Sequence, residues 1–170
     1  EVKALPDTSE PIDYNRYSEF TRTTLNLARK MNGAGARLGQ ISNSLNHIEI
    51  ALQQASALQP DWFARLSKLK KTTAELSAKL YGDPARAGKN ESQVPTAASR
   101  IWGVISGHWN TTQLPTATQQ NAIDLSGTEL EGILTELSAL ENELHALEAH
   151  LIQGGAPFTP GRKGGAGSQE

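Results

Sequence analysis

Cysteine is absent from this 170-residue chain, which excludes disulfides and thiolate metal sites. Valine, phenylalanine and tyrosine occur three times each. Sheets draw on β-branched and aromatic residues, so a Leu- and Ala-rich chain with so few of them is expected to be helical. No apolar run approaches the ~20 residues that cross a bilayer, so no membrane span is expected. No signal-like apolar stretch follows Glu1. A start at Glu rather than Met reads as a processed product or an excised piece of something longer. Excess positive charge is also missing. Lys+Arg number 16 against 18 Asp+Glu, a net charge of −2, and no field for nucleic acid is expected. The charge is uneven: residues 1–89 carry 13 Lys/Arg against 9 Asp/Glu, and residues 90–170 carry 3 against 9. The two halves therefore attract each other.

What is present is a sustained heptad repeat. Between Ile12 and Ala57, the residues Phe20, Thr24, Leu27, Met31, Ala34, Leu38, Ile41, Leu45, Ile48, Leu52 and Ala55 recur in steps of four and three, which predicts one long helix. Thr8 or Ser9 is its expected cap, Pro11 suits its first turn and Pro60 stops it. A second helix is expected from Asp61, as N-cap, to Tyr81, with Trp62, Leu66, Leu69, Thr73, Leu76 and Leu80 on its seam. "DPARAGKNESQVP" (Asp83–Pro95) reads as a loop. A third helix covers Thr96 to about Asn110. A fourth runs from Pro115-Thr116 to Gln153, where Gly154-Gly155 can take the left-handed cap. Its seam is Ile123, Leu130, Ile133, Leu137, Leu140, Leu144, Leu147 and Leu151. Glu129, Glu136 and Glu143 flank one side of this seam, and Glu141 and Glu148 the other. They are expected to face Arg65, Lys70 and Lys79 of helix two and Lys30 and Arg37 of helix one. The expected architecture is an all-α, elongated antiparallel bundle of four helices, two long and two short. It forms a single domain over residues 1–163, with Phe158 able to dock and a flexible tail over residues 164–170.

The third helix carries Trp102 and Trp109 seven residues apart, with Gly103 and Gly107 between them. Trp102, Ile105 and Trp109 keep the three-four spacing, which places both indoles on the buried stripe. Each glycine costs ~1 kcal/mol in a helix. Helix one has a matching pair, Gly35 and Gly39, and small residues on both helices would let them cross closely. The expectation is a core with aromatic anchors beside a tight crossing; the rival is a half-exposed aromatic ligand site. The polar run "QISNSLNH" (Gln40–His47) is either plain surface or a recognition face.

Catalytic constellations do not emerge. His47, His108, His145 and His150 form no H-E-x-x-H pattern, and His145 and His150, five apart, do not share a helix face. A di-metal bundle wants Glu-x-x-His in its core, and no phosphate loop or nucleophile elbow is present. No cofactor and no metal is expected. Asn90-Glu-Ser and Asn110-Thr-Thr fit the N-glycosylation triplet.

"KLYGDPAR", "SRIWGVISGHWNTTQLPTATQQ" and "GAPFTPGR" resemble the helical C-terminal region of large secreted bacterial proteins with Asp-box (BNR-type) β-propellers, similar to the sortilin propeller and often labelled glycosyl hydrolases. "EVKALPD" is similar to the last strand leaving the sandwich that precedes this region. The resemblance covers nearly the whole chain and is sharpest at the Trp-Gly-Trp helix. Hydrolase or Asp-box chemistry would live in the propeller, so no catalytic residue carries over. The resemblance implies an extracellular or periplasmic bacterial origin and a non-catalytic module that docks onto the rest of a larger polypeptide or a partner protein. The heptad faces also offer a route to homo-oligomers. The alternative is a periplasmic-type ligand-sensing four-helix bundle, with a site near Gln40, Asn43 and Asn46. A metal-assisted enzyme using His145, His150 and the helix-four glutamates ranks below it, and a lipid-binding amphipathic array last.

Overall fold

The computed structural model describes residues 13–54 and 60–155. Among the described residues there is no strand. The chain forms α1 (Tyr14–Gln54), α2 (Pro60–Tyr81), α3 (Pro84–Gly88), α4 (Ala97–His108) and α5 (Ala117–Gln153). The all-α expectation holds, but the count is five rather than four. The extra helix lies inside the stretch read as a loop. There the Asp83 carboxylate accepts a 2.8 Å hydrogen bond from the Ala85 N–H, and Pro84 sits at the first helical position, so one Asx-Pro cap winds a single short helix. The chain then turns out through Asn90 at φ 54°.

The other boundaries follow their caps. The Asp13 carboxylate accepts from the N–H groups of Asn15 and Arg16, both at 3.1 Å, at the start of α1. The caps expected at Thr8, Ser9 and Pro11 lie outside the described residues, as do the expected helix ends at Ile12 and Ala57. Pro60 opens α2, so Asp61 falls inside its first turn and pairs with Arg65 at 2.6 Å instead of capping. Thr96 and Thr116 each form a capping box, with Ser99 and Gln119 respectively. Gly154 closes α5 and Gly155 takes the left-handed conformation at φ 69°. The tail expected from residue 164 and the docking of Phe158 fall outside the described residues.

Cross-helix pairs fix the directions. Leu27 of α1 lies against Gly127 of α5, and Arg37 of α1 meets Glu141 of α5, so α1 and α5 run the same way. Lys68 and Lys79 of α2 meet Glu143 and Glu136, and Arg100 of α4 meets Glu129 while Gly107 lies beside Gln119. Helices α2 and α4 therefore run end to end, opposite to α5. The predicted leucine and isoleucine seams of the long helices and of α2 are buried, with Met31, Leu45, Ile48, Leu52, Leu76 and Leu80 at the centre, except that Leu27, like Phe20, is only partly buried and Ala28 faces inward beside it. Each such side chain contributes roughly 1.5–3 kcal/mol by leaving water. Three seam positions are hydroxylic, and each is satisfied within its own helix: Thr24 donates to the Phe20 carbonyl at 2.9 Å, Thr73 to Leu69 at 2.8 Å and Ser126 to Ala122 at 2.7 Å.

Candidate functional surfaces

The stripe that α4 buries is Ala97, Ala98, Ile101, Val104, Ile105 and His108. It includes Ile105, as expected, but neither tryptophan. Trp102 is 49% exposed and Trp109 61%, which overturns the expectation that both are core anchors. Twelve residues give only three turns, so a phase set by the largest side chains can be one position off. Here Val104 and His108 face inward where the indoles were placed. His108 is 2% exposed and stacks against Tyr17 at 4.8 Å and edge-on to Phe20 at 5.1 Å. Among the described residues, neither ring nitrogen has a hydrogen-bond partner.

The glycine pairs do not make a close crossing either. A Cβ at Gly103 or Gly39 would meet nothing within 4 Å, and at Gly107 only the Gln119 Nε2, at 3.7 Å. Gly35 does have a close neighbour, but it is the phenol of Tyr81 on α2, not the backbone of α4. Gly35 and Gly39 thus floor a groove of about 490 Å³ between α1 and α2, bordered by Ser42, Asn46, Ser77 and Tyr81. Trp102, Gly103, Gly107 and Trp109 lie together on the exposed side of α4.

The acidic rails of α5 are largely engaged as expected, with some partners exchanged. Glu141 takes Arg37 through two hydrogen bonds of 2.7 and 2.6 Å. Those bonds, with Coulombic attraction, hold the Arg37 guanidinium above the usual arginine range against the opposing effect of burial. Glu136 takes Lys79, but Glu143 takes Lys68, which was not among the expected partners, Arg65 pairs with Asp61 of its own helix, Lys70 turns to Glu49 on α1, and Glu129 takes Arg100 of α4. His145 bonds Glu148 at 3.1 Å, while the His150 Nδ1–H donates to the Ala146 carbonyl at 2.6 Å, so the two histidines are committed separately. Among the described residues, no three His, Asp or Glu side chains are placed to hold a metal ion. A cavity of about 560 Å³ lies where α2 gives way to α4, lined by Gly82, Arg86, Val94, Gly132 and Ile133, with the Lys79–Glu136 pair at its edge.

Two surfaces stand out by lacking charge. From Met31 to the end of α1 the only charged residues are Arg37 and Glu49, both tied to neighbouring helices. The exposed remainder includes Gly33, Ala36, Gln40, Asn43, His47 and Ile50. The second surface is the α4 face and the turn after it: between Arg100 and Asp124 the chain has no Lys, Arg, Asp or Glu. The signal for it was in the sequence, as a gap in the charge pattern. No family model, curated protein or solved structure matches the chain.

Proposed function

We propose that this chain is a non-catalytic helical module of a larger exported bacterial protein, and that it docks onto the rest of that polypeptide through the outer face of α1. The fuller description of the fold, an elongated antiparallel bundle acting as one body, belongs to the same reading. The observation that carries it is that the exposed face of α1 after Lys30 holds no charged residue, Arg37 and Glu49 being turned to neighbouring helices. A helix facing water ordinarily sets charged residues on its outer side, as α2 does with Arg65, Lys68, Lys71 and Glu75. Here that side is small residues, amides and an exposed isoleucine. Such a face loses little on desolvation when its amides find partners.

The test uses the absence of cysteine. Asn43→Cys gives a single thiol in the middle of the face. In a longer polypeptide carrying this chain, its alkylation should be at least about tenfold slower than in the isolated chain, a change equivalent to roughly 1.4 kcal/mol. Equal rates overturn the proposal. Slowing that depends on the concentration of the isolated chain also overturns it, in favour of a homo-oligomer.

A ligand-sensing bundle is the second reading, favoured by the groove beside Gly39, Ser42 and Asn46. A metabolite that raises the melting temperature of the chain, but not that of Asn46→Leu, would support it.

A further inference from the structure

The exposed side of α4 is costly for the fold to keep. Two indoles stand half in water, and Gly103 and Gly107 weaken the helix that carries them. Packing explains neither glycine, because a side chain at Gly103 would meet open space. Trp109 keeps right-handed helical geometry at φ −66° and ψ −18°, so the helical path continues through it. Seven residues then set the two indoles ~10 Å apart along one face. Ser106 lies between them, with bare backbone at both glycines. The result is two aromatic side chains with a small serine between them and bare backbone along one flank.

The polar groups around these side chains are hydroxyls and amides. Ser106 donates to the Gly103 carbonyl at 3.1 Å, leaving its oxygen lone pairs to accept. Asn110 donates through Nδ2 to the Ser106 carbonyl at 3.1 Å, leaving Oδ1 to accept. The Gln119 Nε2 lies beside Gly107 with donors to give. The nearest preceding cation in the chain, Arg100, is held by Glu129 at 2.6 Å with its side chain only 15% exposed. Among the described residues, the α4 face itself offers an anionic ligand no counter-charge and a protein partner no ionic match; Arg16 and Glu19 of α1 come near only at Pro115 and Gln120, beyond the turn. Aromatic side chains, small acceptors and donors, and no charge are the complement of an uncharged pyranose, which has apolar C–H faces and a ring of hydroxyls.

We infer that the Trp102–Trp109 face binds an uncharged, extended polysaccharide, one sugar ring stacking on each indole with one ring bridging over Ser106. A flat β-1,4-linked chain presents alternate rings in the same orientation, ~10 Å apart, which matches the spacing of the two tryptophans along the helix. This surface is separate from the α1 face, and the two proposals stand or fall independently.

The experiment is calorimetric and fluorimetric titration of the full chain with cellohexaose and with chitohexaose. Binding at about 1 mM or tighter is expected for at least one of them, with a blue shift of tryptophan emission. The double variant Trp102→Ala/Trp109→Ala should lose at least roughly tenfold in affinity while keeping its melting temperature, since neither indole is in the core. Ser106→Leu, which keeps both indoles and obstructs the space between them, should weaken binding similarly. No binding to either oligosaccharide overturns the inference. So does binding unchanged in both variants, or binding of equal strength to anionic hexagalacturonate.

Discussion

The guanidinium of Arg37 on α1 grips the carboxylate of Glu141 on α5 through both of its oxygens, at 2.7 and 2.6 Å. The pair locks the register of two helices that run the same way. Both side chains are about one-third exposed, which keeps the contribution modest despite the bidentate geometry. Arg37→Met is expected to cost roughly 1 kcal/mol in urea unfolding. The sign of any pH effect is fixed by the raised arginine value. Stabilisation from a raised basic group is complete below its unfolded value and fades only as pH climbs through the folded one. The titration of Arg37 therefore adds no pH dependence between pH 5 and 9, and an Arg37-dependent change in stability within that window would refute the assignment.

His108 should be replaceable at a gain. Its ring is buried between Tyr17 and Phe20, and among the described residues neither nitrogen meets a partner. Orphaned buried polar atoms cost roughly 1–3 kcal/mol. His108→Leu is expected to raise stability by about 1 kcal/mol in chemical denaturation. His108→Ala, which opens a cavity, should lower it. A destabilised leucine variant would mean that the imidazole is satisfied.

Three glycine-to-alanine changes discriminate a close crossing from open space. Gly103→Ala and Gly39→Ala add a methyl that touches nothing, so each should stabilise by up to ~1 kcal/mol through helix propensity. Gly35→Ala must displace the Tyr81 ring and should gain less than Gly39→Ala or lose outright. Thermal unfolding of the three variants gives the order, and a loss at Gly103 would restore the tight packing that the sequence suggested.

Thr116 carries the start of α5, accepting the Gln119 N–H at 3.2 Å while Gln119 returns a bond to its backbone at 2.9 Å. Thr116→Ala is expected to cost about 1 kcal/mol, and Thr116→Ser little. Amide exchange over the first turn of α5 should rise in the alanine variant alone.

The long helices were legible because period and length reinforce each other. Over the five heptads of α1 a wrong phase would bury charge, so Met31 through Leu52 could only face one way. Over the three turns of α4 nothing enforced the phase, and the indoles outweighed Val104 and His108. The helix starts near Thr96 and Thr116 were readable in place, whereas Asp83-Pro84 looked like a turn because a five-residue helix has no period of its own. The rails were right in sign, and right in helix for Glu136, Glu141 and Glu143, but Glu129 went to Arg100 of α4 and Glu148 to His145 of its own helix. Which lysine meets which glutamate depends on the rotation of α2: Lys68 turns to α5 and Lys70 to α1, a difference of two residues that charge alone does not specify. The α4 surface was visible as two tryptophans, but its exposure required the neighbours.

With α1 and α5 pointing the same way, the polypeptide comes in at one pole and goes out at the other. Tyr17 touches Thr111 near the incoming end, and Gly154 abuts Trp62 near the outgoing one. Tyr14 and Gly155 therefore lie apart by roughly the span of α5, about 55 Å. Among the described residues the chain thus differs from a hairpin, whose ends would lie side by side.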